Sequence, residues 1–188
     1  MNTFNMTDSI IHLGALKKDA QVTQKKGLPF IMASVVIWSL ILAVQFTDKG
    51  IETKNLYTFM CSCILMPMAF IFSKLVKADI FKKTDNPINK LGFLCTMNQM
   101  LYLIIVMWAF SKNPEAMVML YAMVFGAHLL PFGWVYDSKA YTVISVIETI
   151  GALLIACILG TVPAVVFMIV MEIILCILLA AENRKVDL

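Results

Sequence analysis

The chain has 188 residues, of which 61% are hydrophobic and only 14% charged. An ordinary globular domain has roughly 45–50% apolar and about 25% charged residues. A mean hydropathy of +0.86 agrees, and together these values exclude a water-soluble domain with one core. The net charge of +3 is modest and needs no nucleic acid to explain it. Juxtamembrane lysines facing an anionic leaflet account for it.

Six apolar stretches take up most of the chain: 28–47, 55–73, 91–110, 115–135, 140–160 and 162–181. Each is close to the ~20 residues that a helix needs to cross a ~30 Å hydrocarbon core. The expected fold is all-α: a polytopic membrane protein built as a bundle of six transmembrane helices.

Residues 1–26 precede the first stretch. Ile10, Leu13 and Leu16 recur at spacing three, with Asp8, His12, Lys17 and Lys18 elsewhere on the wheel. This pattern suits a short helix on the membrane surface, although a partly ordered tail fits it too. No secretory leader is expected, because the first apolar stretch is too long and lacks a small-residue cleavage site. No lipidation motif is seen. The bundle is expected over 27–182, with a tail at 183–188.

The second stretch holds Leu56-Tyr57 and Leu65-x-Pro67. The fourth holds Leu120-Tyr121 and Leu129-x-Pro131 at a constant offset of 64. The match hints weakly at a duplicated hairpin; chance similarity between apolar helices explains it as well. Turn signals separate the later stretches: Lys112-Asn113-Pro114, Asp137-Ser138-Lys139 and Gly160-Thr161-Val162-Pro163. The longest connection, 74–90, is too short to hide a soluble domain. Helices four and five must be antiparallel neighbours, since only a tight turn joins them.

Basic residues are distributed unevenly. Lys17, Lys18, Lys25 and Lys26 precede the first helix, and Lys74, Lys77, Lys82, Lys83 and Lys90 lie between the second and third. Lys139, Arg184 and Lys185 fall on the same side. Lys49, Lys54 and Lys112 are the others among the 15 basic residues. The positive-inside rule then places both termini in the cytoplasm of a multi-pass cell-membrane protein.

Cys61, Cys63, Cys95, Cys157 and Cys176 all fall inside expected helices. Their spacings fit neither a zinc site nor a disulfide framework, so they read as small packing residues. With His12 and His128 the only histidines, a multi-histidine metal site is excluded. No metal or cofactor is expected. The motifs of metalloproteases and serine hydrolases are absent, so nothing points to an enzyme.

Three ionisable residues lie deep in apolar stretches: His128, Glu148 and Glu172. Glu148 is about nine residues from the inner end of helix five, and Glu172 about ten from either end of helix six. Such groups are functional candidates by default, because hydrocarbon disfavours them. Asn98, Gln99, Tyr102 and Tyr121 are expected to support them. Pro131 frees a carbonyl near His128. Ala152, Ala156 and Gly160 form a ladder of small residues that would admit another helix.

Two carboxyl groups with a histidine can hold one shared proton, a metal or an organic cation. They can equally form an interhelical network that only locks the bundle. Three functions stay open: a small transporter or channel-like protein with a proton or cation site, a non-catalytic assembly, immunity or signalling partner, and, distantly, an intramembrane enzyme acting on lipid. The lipid bilayer is the expected partner, a homo-oligomer is open, and no nucleic acid is expected.

The run Phe125-Gly126-Ala127-His128-Leu129-Leu130-Pro131-Phe132-Gly133-Trp134-Val135-Tyr136, continuing to Ala140-Tyr141, carries a Gly-Ala-His-x-x-Pro-x-Gly-Trp signature. With Lys25-Lys26-Gly27-Leu28-Pro29-Phe30, it resembles a family of uncharacterised small bacterial multi-pass membrane proteins. The resemblance implies a multi-helix inner-membrane protein and no activity.

The charge asymmetry makes topology testable. Reporter fusions after Asp48, Lys112 and Val162 should read as external, and fusions at Lys82 and Arg184 as internal. An external C-terminus would overturn the six-span count.

Overall fold

The computed structural model describes residues 6–80 and 85–186, all of them in helices or short connections. Helix α1 spans Met6–Gln24 and α2 spans Leu28–Gln45. Next come α3 (Ile51–Ser62), α4 (Leu65–Leu75) and α5 (Pro87–Lys112). Three long helices follow: α6 (Met117–Val135), α7 (Lys139–Leu159) and α8 (Thr161–Val186). Six helical segments are long and apolar enough to cross a membrane, which makes this a membrane-span-like helical bundle.

The first apolar stretch does not continue the helix that precedes it. Lys25, Lys26 and Gly27 have φ of 47°, 50° and 71°, all in the left-handed region. That reversal separates α1 from α2 and sets them at an angle. Ile10 and Ile11 on α1 remain exposed, and Ala20 is fully buried against the bundle. Lys17 places its ammonium 3.7 Å from the centre of the Trp134 ring. The side chain of Asp8 lies outside the described residues.

The second stretch is two helices rather than one. The break falls at Cys63–Ile64, immediately before the Leu65-Met66-Pro67 turn. Pro67 cannot donate to the Cys63 carbonyl, and its ring crowds that carbonyl, so the helix restarts. Pro131, at the matching place in α6, leaves its helix continuous. The two segments also differ in setting: Tyr57 is exposed, whereas Tyr121 is buried.

Helix α8 lies against α1, α2, α6 and α7. Its buried residues Val165, Met168, Glu172, Leu175, Leu179 and Asn183 recur at spacings of three and four, the period of one helix face. On α7 the buried stripe is Tyr141, Ile144, Ser145, Glu148 and Ala152. On α2 it is Ile31, Ser34, Trp38 and Ile41. These stripes converge, and the serine and both glutamates sit on them.

Helices α6 and α7 are the most intimately packed pair. A Cβ added at Gly126 would come within 2.8 Å of the Glu148 Cβ and 2.9 Å of the Thr149 nitrogen. One at Gly133 would collide with the Thr142 hydroxyl. The two glycines are seven residues apart, which puts both on one face. On the other side of α7, Gly151 accepts the ring of Phe167 from α8. The ladder expected on α7 is therefore only partly the packing surface. Ala152 is fully buried and Ala156 half-buried. Gly160 has φ of 93° and ends the helix, and a Cβ there would meet open space.

Gly126→Ala is expected to destabilise the bundle by about 1–3 kcal/mol through overpacking. Gly14→Ala, on α1 with nothing within 4 Å, should be neutral or slightly stabilising. Thermal melting in detergent compares them, and equal losses would contradict this packing.

Candidate functional site

Glu148 on α7 and Glu172 on α8 are both 0% exposed. Their carboxyl groups lie within hydrogen-bonding reach of each other. Two ionised carboxylates cannot form that bond, since neither carries a hydrogen; one proton between them makes it. Ser34 on α2 donates to Glu172 Oε2 and also lies 2.7 Å from the Ile31 carbonyl. Three helices thus meet at one polar point.

The point is under-satisfied. Apart from the bond between the pair, both oxygens of Glu148 and Oε1 of Glu172 are buried without a donor among the described residues. One turn along α2 from Ser34, the Trp38 Nε1 is a buried donor without an acceptor. The Trp38 ring is fixed by Tyr121 and Phe125, with centroids 5.4 and 5.6 Å away. Among the described residues no group of three or more His, Cys, Asp or Glu side chains is poised for a metal ion.

His128 does not join the pair. Gly126 presses against Glu148, and two residues on a helix are about 200° apart, so His128 projects from the far side of α6. Its Nδ1 is bonded to the Phe125 carbonyl one turn earlier, not to the carbonyl freed by Pro131. Its ring lies edge-on to Phe125 and Phe132.

The polar residues expected to support the site are likewise dispersed. Tyr121 is buried and bonds the Ser62 hydroxyl at 2.7 Å, tying α6 to α3. Asn98 and Tyr102 are exposed on the outer face of α5. Gln99 is 7% exposed and faces inward.

His128 and Gln99 instead line a cavity of about 480 Å³ that neither glutamate reaches. Its walls include Phe30, Ile31, Leu65, Phe93, Phe125 and Phe132. Gln24, Asn89, Lys90 and Tyr136 add polar groups, with Asn89 and Lys90 in the first turn of α5. Tyr141 also lines it.

A second polar assembly closes the end of the bundle where α1 meets α2. Lys26 is 4% exposed, and its Nζ lies 2.8 Å from Glu182 Oε2. Tyr141 donates to the Lys26 carbonyl at 2.9 Å, and Asn183 to the Lys25 carbonyl at 2.9 Å. Tyr136 donates to Gln24 Oε1 at 2.6 Å. A Cβ at Gly27 would sit 3.1 Å from the Tyr141 hydroxyl, so glycine suits both the turn and the contact. The two sequence runs that carry the family resemblance meet here. Their separation by about 100 residues hid the contact.

Lys26→Met leaves the Glu182 carboxylate partly buried and unpaired, at an expected cost of about 2–3 kcal/mol, discounted because Glu182 is a quarter exposed. Adding Glu182→Leu should recover part of that loss. A double-mutant cycle on detergent melting measures the coupling, and strictly additive losses would dismiss the ion pair.

No curated protein and no solved structure matches the chain. Residues 13–182, which include the carboxyl pair, the cavity and the Lys26–Glu182 assembly, match a family of unknown function, DUF7010. The chain belongs to this family.

Proposed function

We propose that this protein is a small proton- or cation-coupled membrane carrier in which Glu148 and Glu172 share the exchanging proton. The carrying observation is the pair itself: two fully buried carboxyl groups within hydrogen-bonding reach, with three of their four oxygens receiving no hydrogen bond from any other described residue. A network evolved only to hold helices would be expected to satisfy its oxygens, since each orphan weakens the fold. Surplus acceptor capacity suits a proton or small cation that comes and goes. Ser34 supplies a donor that either protonation state of the partner can use. Titration then belongs to the pair and not to either residue. The charge pattern supports a cell-membrane protein with both termini inside, where the Lys26–Glu182 assembly would face the cytoplasm.

A second reading is a non-catalytic partner protein whose carboxyl pair is a static lock. It is favoured by one feature: neither glutamate lines the cavity. The two readings differ in what amide substitution does.

Under the carrier reading, Glu148→Gln and Glu172→Gln should each abolish pH-driven flux in proteoliposomes while changing melting by no more than about 1 kcal/mol, because the amide replaces the protonated acid. Glu148→Ala and Glu172→Ala should lower melting by about 1–3 kcal/mol, leaving buried partners unsatisfied. Infrared difference spectra should show a protonated carboxyl band that responds to pH and disappears in the Gln variants. A band insensitive to pH, with unchanged wild-type and Gln-variant behaviour, would leave only the lock.

A further inference from the structure

The cavity on the far side of α6 is separate from the carboxyl pair and has its own chemistry. Gln99 is the informative residue. It is nine-tenths buried, lines the cavity, and makes no hydrogen bond to the described residues, its amide keeping accessible surface in the chamber. A buried amide of that kind calls for a partner.

His128 faces the same space at the same level. The register follows from Gly92, whose Cβ position lies 3.8 Å from Val135 and 4.0 Å from Phe132 across the α5–α6 seam. The helices are antiparallel, so seven residues further along α5 corresponds to seven residues back along α6. Gln99 therefore lies opposite 125–128. The Nδ1 of His128 is occupied by the Phe125 carbonyl, which leaves Nε2 as its other polar atom. An amide and an imidazole thus flank one point in a chamber walled by Phe93, Phe125 and Phe132.

The access route is lateral. Helix α4 packs on α2, and α5 packs on α6 and α1, but α4 and α5 are not closely packed on each other among the described residues. Met66 on α4 and Phe93 on α5 line the cavity and are 50% and 68% exposed. The space therefore opens sideways, where the bilayer lies, between two apolar side chains.

Depth selects the head group. Gln99 is twelve residues into α5, about 18 Å from its start, well inside a ~30 Å core. A charged head is disfavoured there, and the lysine lining the cavity, Lys90, is nine residues away along the helix, about 14 Å. Neither Gln99 nor His128 is a fixed charge. Both can donate to carbonyl or hydroxyl oxygens.

We propose that this chamber binds a neutral, single-tailed amphiphile taken from the bilayer. Its carbonyl or hydroxyl oxygens bond Gln99 and His128, and its apolar tail leaves between α4 and α5. The proposal does not rest on the carrier reading, because the glutamates take no part in it.

The test uses the full chain in phosphatidylcholine nanodiscs and a monoacylglycerol with a diazirine in its acyl chain. Mass spectrometry should find the label concentrated on cavity-lining peptides of α4, α5 and α6. Gln99→Leu and His128→Leu should each reduce that labelling about fivefold or more, the loss of one hydrogen bond. Melting of Gln99→Leu should be unchanged or raised, because a polar group without a protein partner is removed. Lys90→Gln should label as the wild type does, and a fatty acid should compete poorly. Label spread evenly over the exposed helix faces, or insensitive to Gln99→Leu, would overturn the proposal. So would a Gln99→Leu protein that melts lower, since the amide would then be structural. Strong competition by the fatty acid, or loss of labelling in Lys90→Gln, would move the head group to the lysine and overturn the assignment.

Discussion

Bringing two carboxyl groups into contact at zero exposure constrains everything around them. Such a pair cannot carry two charges in apolar surroundings without a cation, and among the described residues no cationic side chain bonds either group. A shared proton removes one charge and creates one hydrogen bond. The other charge, when present, leans on the Ser34 hydroxyl. For this to work, three helices must come close. Gly126 permits it on one side by leaving no Cβ against Glu148, and Gly151 permits it on the other by accepting Phe167. The small residues on α6 and α7 are therefore part of the electrostatics as much as of the packing. Lengthening either contact would weaken the bond that makes burial of the pair tolerable.

One end of the same helices is held by a different device. Lys25, Lys26 and Gly27 adopt left-handed backbone, which for lysine is unfavourable. The strain is opposed by three contacts: the Lys26 ammonium on Glu182, and the Lys25 and Lys26 carbonyls capped by Asn183 and Tyr141. Tyr141 and Glu148 are seven residues apart on one face of α7, and Asn183 and Glu172 are eleven apart on one face of α8. The α1–α2 junction and the carboxyl pair thus share two rigid helices, so a rearrangement at one would be felt at the other.

Much of this was legible in the sequence for simple reasons. Stretch length and hydropathy give the membrane-spanning helices, because a bilayer of fixed thickness demands them. Glu148 and Glu172 stand out because ionisable side chains in such stretches are costly. Their meeting was not readable, since it depends on which faces of α7 and α8 oppose each other. The same limit misplaced His128. It shares a depth range with the glutamates, but the angle between Gly126 and His128 turns it to the other side of α6. Composition also concealed the break at Cys63–Ile64, because hydropathy averages over a kink. The left-handed junction was hidden too, since two lysines rarely adopt that backbone.

Helix α6 therefore divides two chemistries. One face is opened by Gly126 and Gly133, which put no Cβ against α7 and let the protein seal its carboxyl pair. The other presents Phe125, His128 and Phe132 to a chamber that opens sideways. Phe125 is common to both, because its ring walls the chamber and also packs on Trp38, the residue next along α2 from Ser34 on the buried stripe. Any occupant that displaced Phe125 would press on Trp38 and so on the helix that holds Ser34 against Glu172. Phe125 meets Trp38 through their rings, Trp38 and Ser34 are one turn apart on α2, and Ser34 bonds Glu172. A chamber ligand would then act on the carboxyl pair through packing alone, by changing how closely α2 approaches α8.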